Sequence, residues 1–143
     1  MPIARLNRAT LQLFADARIK EAKVLLQHEH WTGAYYLTGL GVECALKACL
    51  AHAVQQHDFP DKSFINRAYT HNLEDLARLD GELWVSLNDE MNTNATLRNN
   101  WSTVRQWDDE KRYFAVEEIE AVSMYEATTE AGSGILDWLR RRW

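Results

Sequence analysis

Between Gly33 and Gln56 the chain carries apolar or small residues on nearly every side of a helical wheel, with Glu43 and Lys47 as its charged positions. A helix of that kind must be covered on more than one side, so it belongs at the centre of a fold. Ala34, Thr38, Gly41, Val42, Ala45 and Cys49 make one face, while Tyr36, Leu40, Cys44 and Leu50 lie toward another. Gly39 and Gly41 each cost helix propensity, about 1 kcal/mol relative to alanine. That cost is tolerable where a missing side chain lets a neighbouring helix approach closely. Glu43 and Lys47 stand four apart with the acid first, the favourable order for a helical ion pair.

The rest of the pattern is helical as well. Thr10 to Gln27 places Leu11, Phe14, Ala15, Ala22, Leu25 and Leu26 on one stripe, with Arg18 projecting from its middle. Glu29 to Gly33 reads as the turn into the central helix, with Thr32 as its N-cap. The polar run His57 to Thr70, containing Asp58, Pro60, Asp61 and Ser63, reads as a loop. A short helix over His71 to Leu79 ends at Asp80-Gly81, and a further helix spans Glu82 to Met91. Asn92 to Asn94 is a kink or a break before a helix from Ala95 to Trp107, which Asp108-Asp109-Glu110 turns. The last long helix starts near Ala115, with Glu117 and Glu118 where the helix dipole favours acids. Gly132-Ser133-Gly134 ends or bends it before the segment Ile135 to Trp143. Strand signals are absent, and 143 residues with 2 Pro and 6 Gly predict one all-α domain. The expected architecture is an up-and-down helical bundle of four to five main helices.

A net charge of -5 excludes a uniformly basic surface, so any RNA contact must be confined to a cleft. Cys44 and Cys49 are five apart on one helix, too divergent to bridge, and read as small buried hydrophobes. No apolar run reaches membrane-spanning length and the first residues lack the apolar core of a signal peptide. A cytoplasmic protein with no membrane association is expected. His28, His30, His52 and His57 lack converging carboxylate or cysteine ligands at recognisable spacing, so neither a metal nor a cofactor is expected.

Arg98, Arg105 and Arg112 recur every seven residues with Trp101 and Trp107 between them. On one continuous helix they would share a face, drifting about 20° per heptad. Guanidinium groups bind phosphate and aromatic rings stack on bases, so this segment is a candidate nucleotide or RNA cleft. The alternative is that the arginines pair with Asp108, Asp109, Glu110 and nearby acids while the tryptophans fill the core. Glu43, on an otherwise apolar helix, needs a partner, and Arg18 and Lys47 are the candidates for a structural ion pair.

Two stretches resemble HEPN domains, helical modules linked to nucleotide binding and RNA cleavage. One is Ala15 to Leu50, with the string Val42-Glu43-Cys44-Ala45-Leu46-Lys47 matching a V-E-x-A-L-K signature; the other is Leu97 to Tyr113. His71-x-Leu73-x-x-Leu76 and Arg112-Tyr113 are similar to further HEPN patterns, and the resemblance spans Arg5 to Thr129. In HEPN RNases an arginine, often followed by a polar residue, is separated from a catalytic histidine by four to six intervening residues. Arg98-Asn99 opens such a frame here, but Thr103, Val104 and Arg105 occupy the histidine's places. Threonine cannot exchange a proton near neutral pH.

The resemblance therefore implies a non-catalytic module that binds a nucleotide, RNA or a protein partner through Arg98, Asn99, Arg105, Arg112 and Tyr113. The alternative is a metal-independent endoribonuclease toxin that uses Arg98 with an unorthodox base. The resemblance also implies dimerisation and a nucleotidyltransferase partner in a toxin–antitoxin or defence system. A homodimer is expected independently, because the central helix presents more apolar surface than one neighbour covers and six tryptophans leave aromatic area for an interface. The central helix and the Leu97–Trp107 helix are the expected contact surfaces.

Overall fold

The structure, a computed structural model, describes residues 5–54 and 58–143. All of its regular structure among those residues is helical, as the patterning predicts. The described residues form eight α-helices: α1 (Arg8–Gln27), α2 (Trp31–Ala53), α3 (Lys62–Ala68), α4 (Leu73–Leu79), α5 (Gly81–Thr93), α6 (Ala95–Val104), α7 (Glu118–Thr129) and α8 (Ile135–Arg140). A 3₁₀ segment, Asp109–Tyr113, lies between α6 and α7. The longer helices α1, α2, α5, α6 and α7 correspond to the four to five main ones expected. No described helix is long and apolar enough to cross a membrane.

The central position of α2 follows from its wheel. It is packed by α1 along its length and further by α4, α7, α8 and the 3₁₀ segment. Of its three glycines, Gly39 and Gly41 leave space that neighbouring side chains fill. A Cβ at Gly41 would stand 2.8 Å from Ile19 Cδ1 and 3.3 Å from the Ala15 carbonyl oxygen of α1. At Gly39 the obstruction is a ring: a Cβ there would lie 2.0 Å from Cε2 of Trp107. Much of the apolar surface of α2 is thus covered by the chain itself, while Leu37, Leu40 and Cys44 stay partly exposed.

The α1–α2 turn is a Schellman motif. His30 N–H donates to the Leu25 carbonyl (2.9 Å) and Glu29 N–H to that of Leu26 (3.1 Å). Glu29 occupies the left-handed position with φ 61°, where glycine is usual. The motif lets α2 begin at Trp31, so Thr32 lies inside the helix and is not its N-cap; His30 takes that position without a side-chain cap. The Thr32 hydroxyl instead accepts from Val116 N–H (3.1 Å) and donates to the Phe114 carbonyl (3.2 Å), tying the start of α2 to the loop before α7.

Elsewhere the caps decide where elements begin. Asp61 caps α3 by accepting from Phe64 N–H (3.2 Å), so a helix forms inside the stretch expected to be loop. Asn72, not His71, caps α4, and Asn94 caps α6 and makes the Asn92–Asn94 segment a break. The end expected for the central helix, Gln56, lies outside the described residues. The α6 helix stops at Val104 rather than Trp107, because the chain turns to bury Trp107 against α2. The α7 helix begins at Glu118, three residues later than the sequence suggests, with Glu117 as N-cap. Gly132, at φ 84°, makes the turn into α8.

Candidate functional site

The face of α6 that carries Asn99 and Thr103 looks across a cleft of about 460 Å³ at α7. Ser123, Glu126, Thr129 and Glu130 form its other side. The Thr103 hydroxyl donates back to the Asn99 carbonyl (3.4 Å), and Asn100 binds Glu130 (2.7 Å) and the Ser133 carbonyl (2.9 Å). The only ionisable side chains lining the cleft are the two glutamates. Among the described residues no imidazole or cation lines it.

Arg98 is not part of that cleft. Five residues from Thr103, it projects about 140° away around the helix. Its guanidinium donates to the Met91 carbonyl (3.1 Å), spanning the α5–α6 break. The other two positions open to a base are likewise spent: Val104 is fully buried, and Arg105 pairs with Glu74 of α4 at 3.2 Å. Hydrogen bonding from Arg78 first, and the nearby Arg105, hold the Glu74 carboxyl below its ordinary range.

The shared face expected for Arg98, Arg105 and Arg112 requires one continuous helix, and α6 ends before Arg105. Arg112 sits in the 3₁₀ segment and bonds to the Asp109 carbonyl (3.0 Å) and carboxylate (3.1 Å). The three arginines therefore have three separate partners. Trp101 and Trp107 are core residues, each 4% exposed, and cannot stack on a base. What remains at the surface is a cation–aromatic corner. The Arg112 guanidinium lies 4.6 Å from the Tyr113 ring centroid and 5.6 Å from that of Tyr36. Tyr113 and Phe114 are 74% and 66% exposed.

Glu43 does have a partner in addition to Lys47, but it is not Arg18. The carboxylate accepts from the His71 ring N–H at 2.5 Å, and Lys47 Nζ stands 3.7 Å from its other oxygen. Arg18 pairs with Glu21 on its own helix at 2.7 Å, where the i,i+3 acid is within easier reach. His71 precedes the Asn72 cap, and the loop into α4 carries it over α2. The polar residue before the capped short helix was the one sequence signal for this contact.

Other polar contacts carry no sequence signature. Glu90 accepts from the Trp138 indole (2.5 Å) and faces Arg142 (3.5 Å) and Arg141 (3.8 Å). Burial pushes the Cys49 thiol up to about 12 and raises that of Cys44, so neither is a thiolate nucleophile at neutral pH. His28 bonds the Val24 carbonyl and His52 bonds Arg8, while His57 lies outside the described residues. Among the described residues no three His, Cys, Asp or Glu side chains converge as metal ligands.

Comparison of the chain with family models, with curated proteins and with solved structures finds no match.

Proposed function

We propose that this chain is a non-catalytic HEPN-like binding module that engages a protein partner through the corner of Arg112, Tyr113 and Phe114. The observation that carries the non-catalytic reading is the cleft at Thr103, which holds two glutamates, no proton-transferring imidazole and no arginine. General acid–base catalysis requires a group that titrates near the working pH beside the reacting atoms. A polyanion is a poor occupant of an acidic cleft, and the dispersed arginines offer no continuous track for RNA. Arginine and large exposed aromatics are the residue types that anchor protein interfaces. In the cytoplasmic toxin–antitoxin or defence setting implied by the resemblance, that partner is a nucleotidyltransferase.

A nucleotide is the second reading, favoured by the Arg112 guanidinium lying near two tyrosine rings. A base would stack on Tyr113 and a phosphate would meet Arg112. Self-association through Tyr113, Phe114 and the 74% exposed Ile119 is a further form of the protein-partner reading. Sedimentation of the chain alone, with the protein encoded beside it, with ATP and with a short RNA separates these outcomes. A complex with the neighbouring protein, weakened about tenfold by Tyr113→Ala or Phe114→Ala, supports the proposal. Tight RNA binding that disappears in Arg98→Ala contradicts it.

A further inference from the structure

Toward the C-terminal end of α2, Lys47, Leu50, Ala51 and the C-cap Val54, at i, i+3, i+4 and i+7, line a second cleft of about 280 Å³. The short helix α3 covers it with Phe64 and Ile65, and leucines at the start of α1 complete the wall. Apart from Asn7, the Tyr69 phenol and Lys47, the lining is apolar. The Asn7 side-chain oxygen is committed to the N-cap of α1, accepting from Thr10 N–H at 3.0 Å. Among the described residues Lys47 is the only charged one lining the cleft.

The lysine is unusually placed. Its side chain is 20% exposed, and the nearest carboxylate oxygen, from Glu43, is 3.7 Å away, beyond hydrogen-bond distance. Among the described residues its ammonium donates no hydrogen bond, although it has three donors. Glu43 is drawn off on its other oxygen by the 2.5 Å contact with His71. Glu43 supplies a counter-charge but no hydrogen bond, so a second carboxylate within about 3 Å would add the charge-assisted hydrogen bonds that this ammonium lacks. The remainder of the space suits an aliphatic chain. At roughly 30 Å³ for each water-sized group, the cleft holds about nine such groups. The cover is slight as well: α3 is a seven-residue helix with no buried side chain.

We propose that this cleft binds a linear aliphatic carboxylate of medium chain length, with its head on Lys47 and its tail beneath α3. Charge complementarity selects the acid over a neutral chain, and the volume limits the tail to about eight to ten carbons.

The test is calorimetric titration of the full chain with decanoate, kept below its micelle concentration, and with decanol in parallel. The expected result is single-site decanoate binding at least about tenfold tighter than decanol. Lys47→Leu should weaken decanoate by about tenfold or more and leave decanol unchanged. Ala51→Trp, which fills the cleft and leaves the Lys47–Glu43 pair in place, should abolish both; it also keeps the test decisive if Lys47→Leu fails to fold. Equal affinity for acid and alcohol, decanoate binding indifferent to Ala51→Trp, or no binding by roughly 1 mM would overturn the proposal.

Discussion

Replacing Gly39 by alanine should unfold this protein more readily, although alanine is the better helix former. In an open helix the change would stabilise by about 1 kcal/mol. Here the new methyl would lie 2.0–2.2 Å from three atoms of the Trp107 indole, far inside contact distance. The ring is 4% exposed and stacked beside Tyr36 at 6.2 Å, so it cannot yield by a small rotation into solvent. Overpacking typically costs about 1–3 kcal/mol, and complete loss of a buried tryptophan's packing costs about 3–5 kcal/mol. Set against the propensity gain, overpacking leaves about 0–2 kcal/mol and lost packing about 2–4 kcal/mol, so the net destabilisation is about 2 kcal/mol. In a Trp107→Ala background the obstruction is gone, and Gly39→Ala should become neutral or stabilising by up to about 1 kcal/mol. Urea unfolding followed by far-ultraviolet circular dichroism on the four corners of this cycle measures the coupling. If Gly39→Ala is equally destabilising with and without Trp107, the indole does not occupy the space that Gly39 leaves.

His71→Ala should destabilise by about 1–3 kcal/mol, since it leaves the 6% exposed Glu43 with only the distant Lys47. Urea midpoints should show that the loss is mostly absent in a Glu43→Gln background, and additivity would contradict the pairing. Glu29→Gly should stabilise by about 0.5–1 kcal/mol by relieving the left-handed backbone at φ 61°; a lower thermal midpoint would argue against the Schellman turn. The Cys49 thiol, raised from 9.0 to about 12, should contribute stability that is intact below pH 9 and lost as pH rises toward 12. The sign follows because the unfolded chain releases this proton first. A Cys49→Ala variant should therefore lose less stability than the wild type over that range, and an equal loss would contradict the burial.

What the sequence made legible was mostly what depends on the chain's own periodicity. The all-round apolar wheel located α2 at the centre, and the small residues in it marked close approaches, although the neighbour at Gly39 is a ring from the α6–α7 connection and not a helix. The breaks at Asp80-Gly81 and at Gly132 to Gly134 also stand where the turn residues put them. Features set by partners distant in sequence were not legible. The α3 helix was hidden because its single cap, Asp61, stands among residues that equally favour a loop. The three arginines were aligned by a heptad spacing that holds only if α6 continues, and burial of Trp107 ends it. Arg18 lay on the right stripe to meet Glu43, but a local acid took it and a histidine 28 residues downstream of Glu43 replaced it.

Incubation with a labelled RNA in the absence of metal tests most directly whether the chain binds without cleaving. Wild type, Arg98→Ala and Thr103→His proteins should all leave the RNA intact. Thr103→His is included because a histidine there would enter the acidic cleft, whereas Arg98 points to the Met91 carbonyl on another side of α6. Cleavage by the wild type that is lost in Arg98→Ala would contradict binding without cleavage and identify a nuclease with a base outside the expected frame.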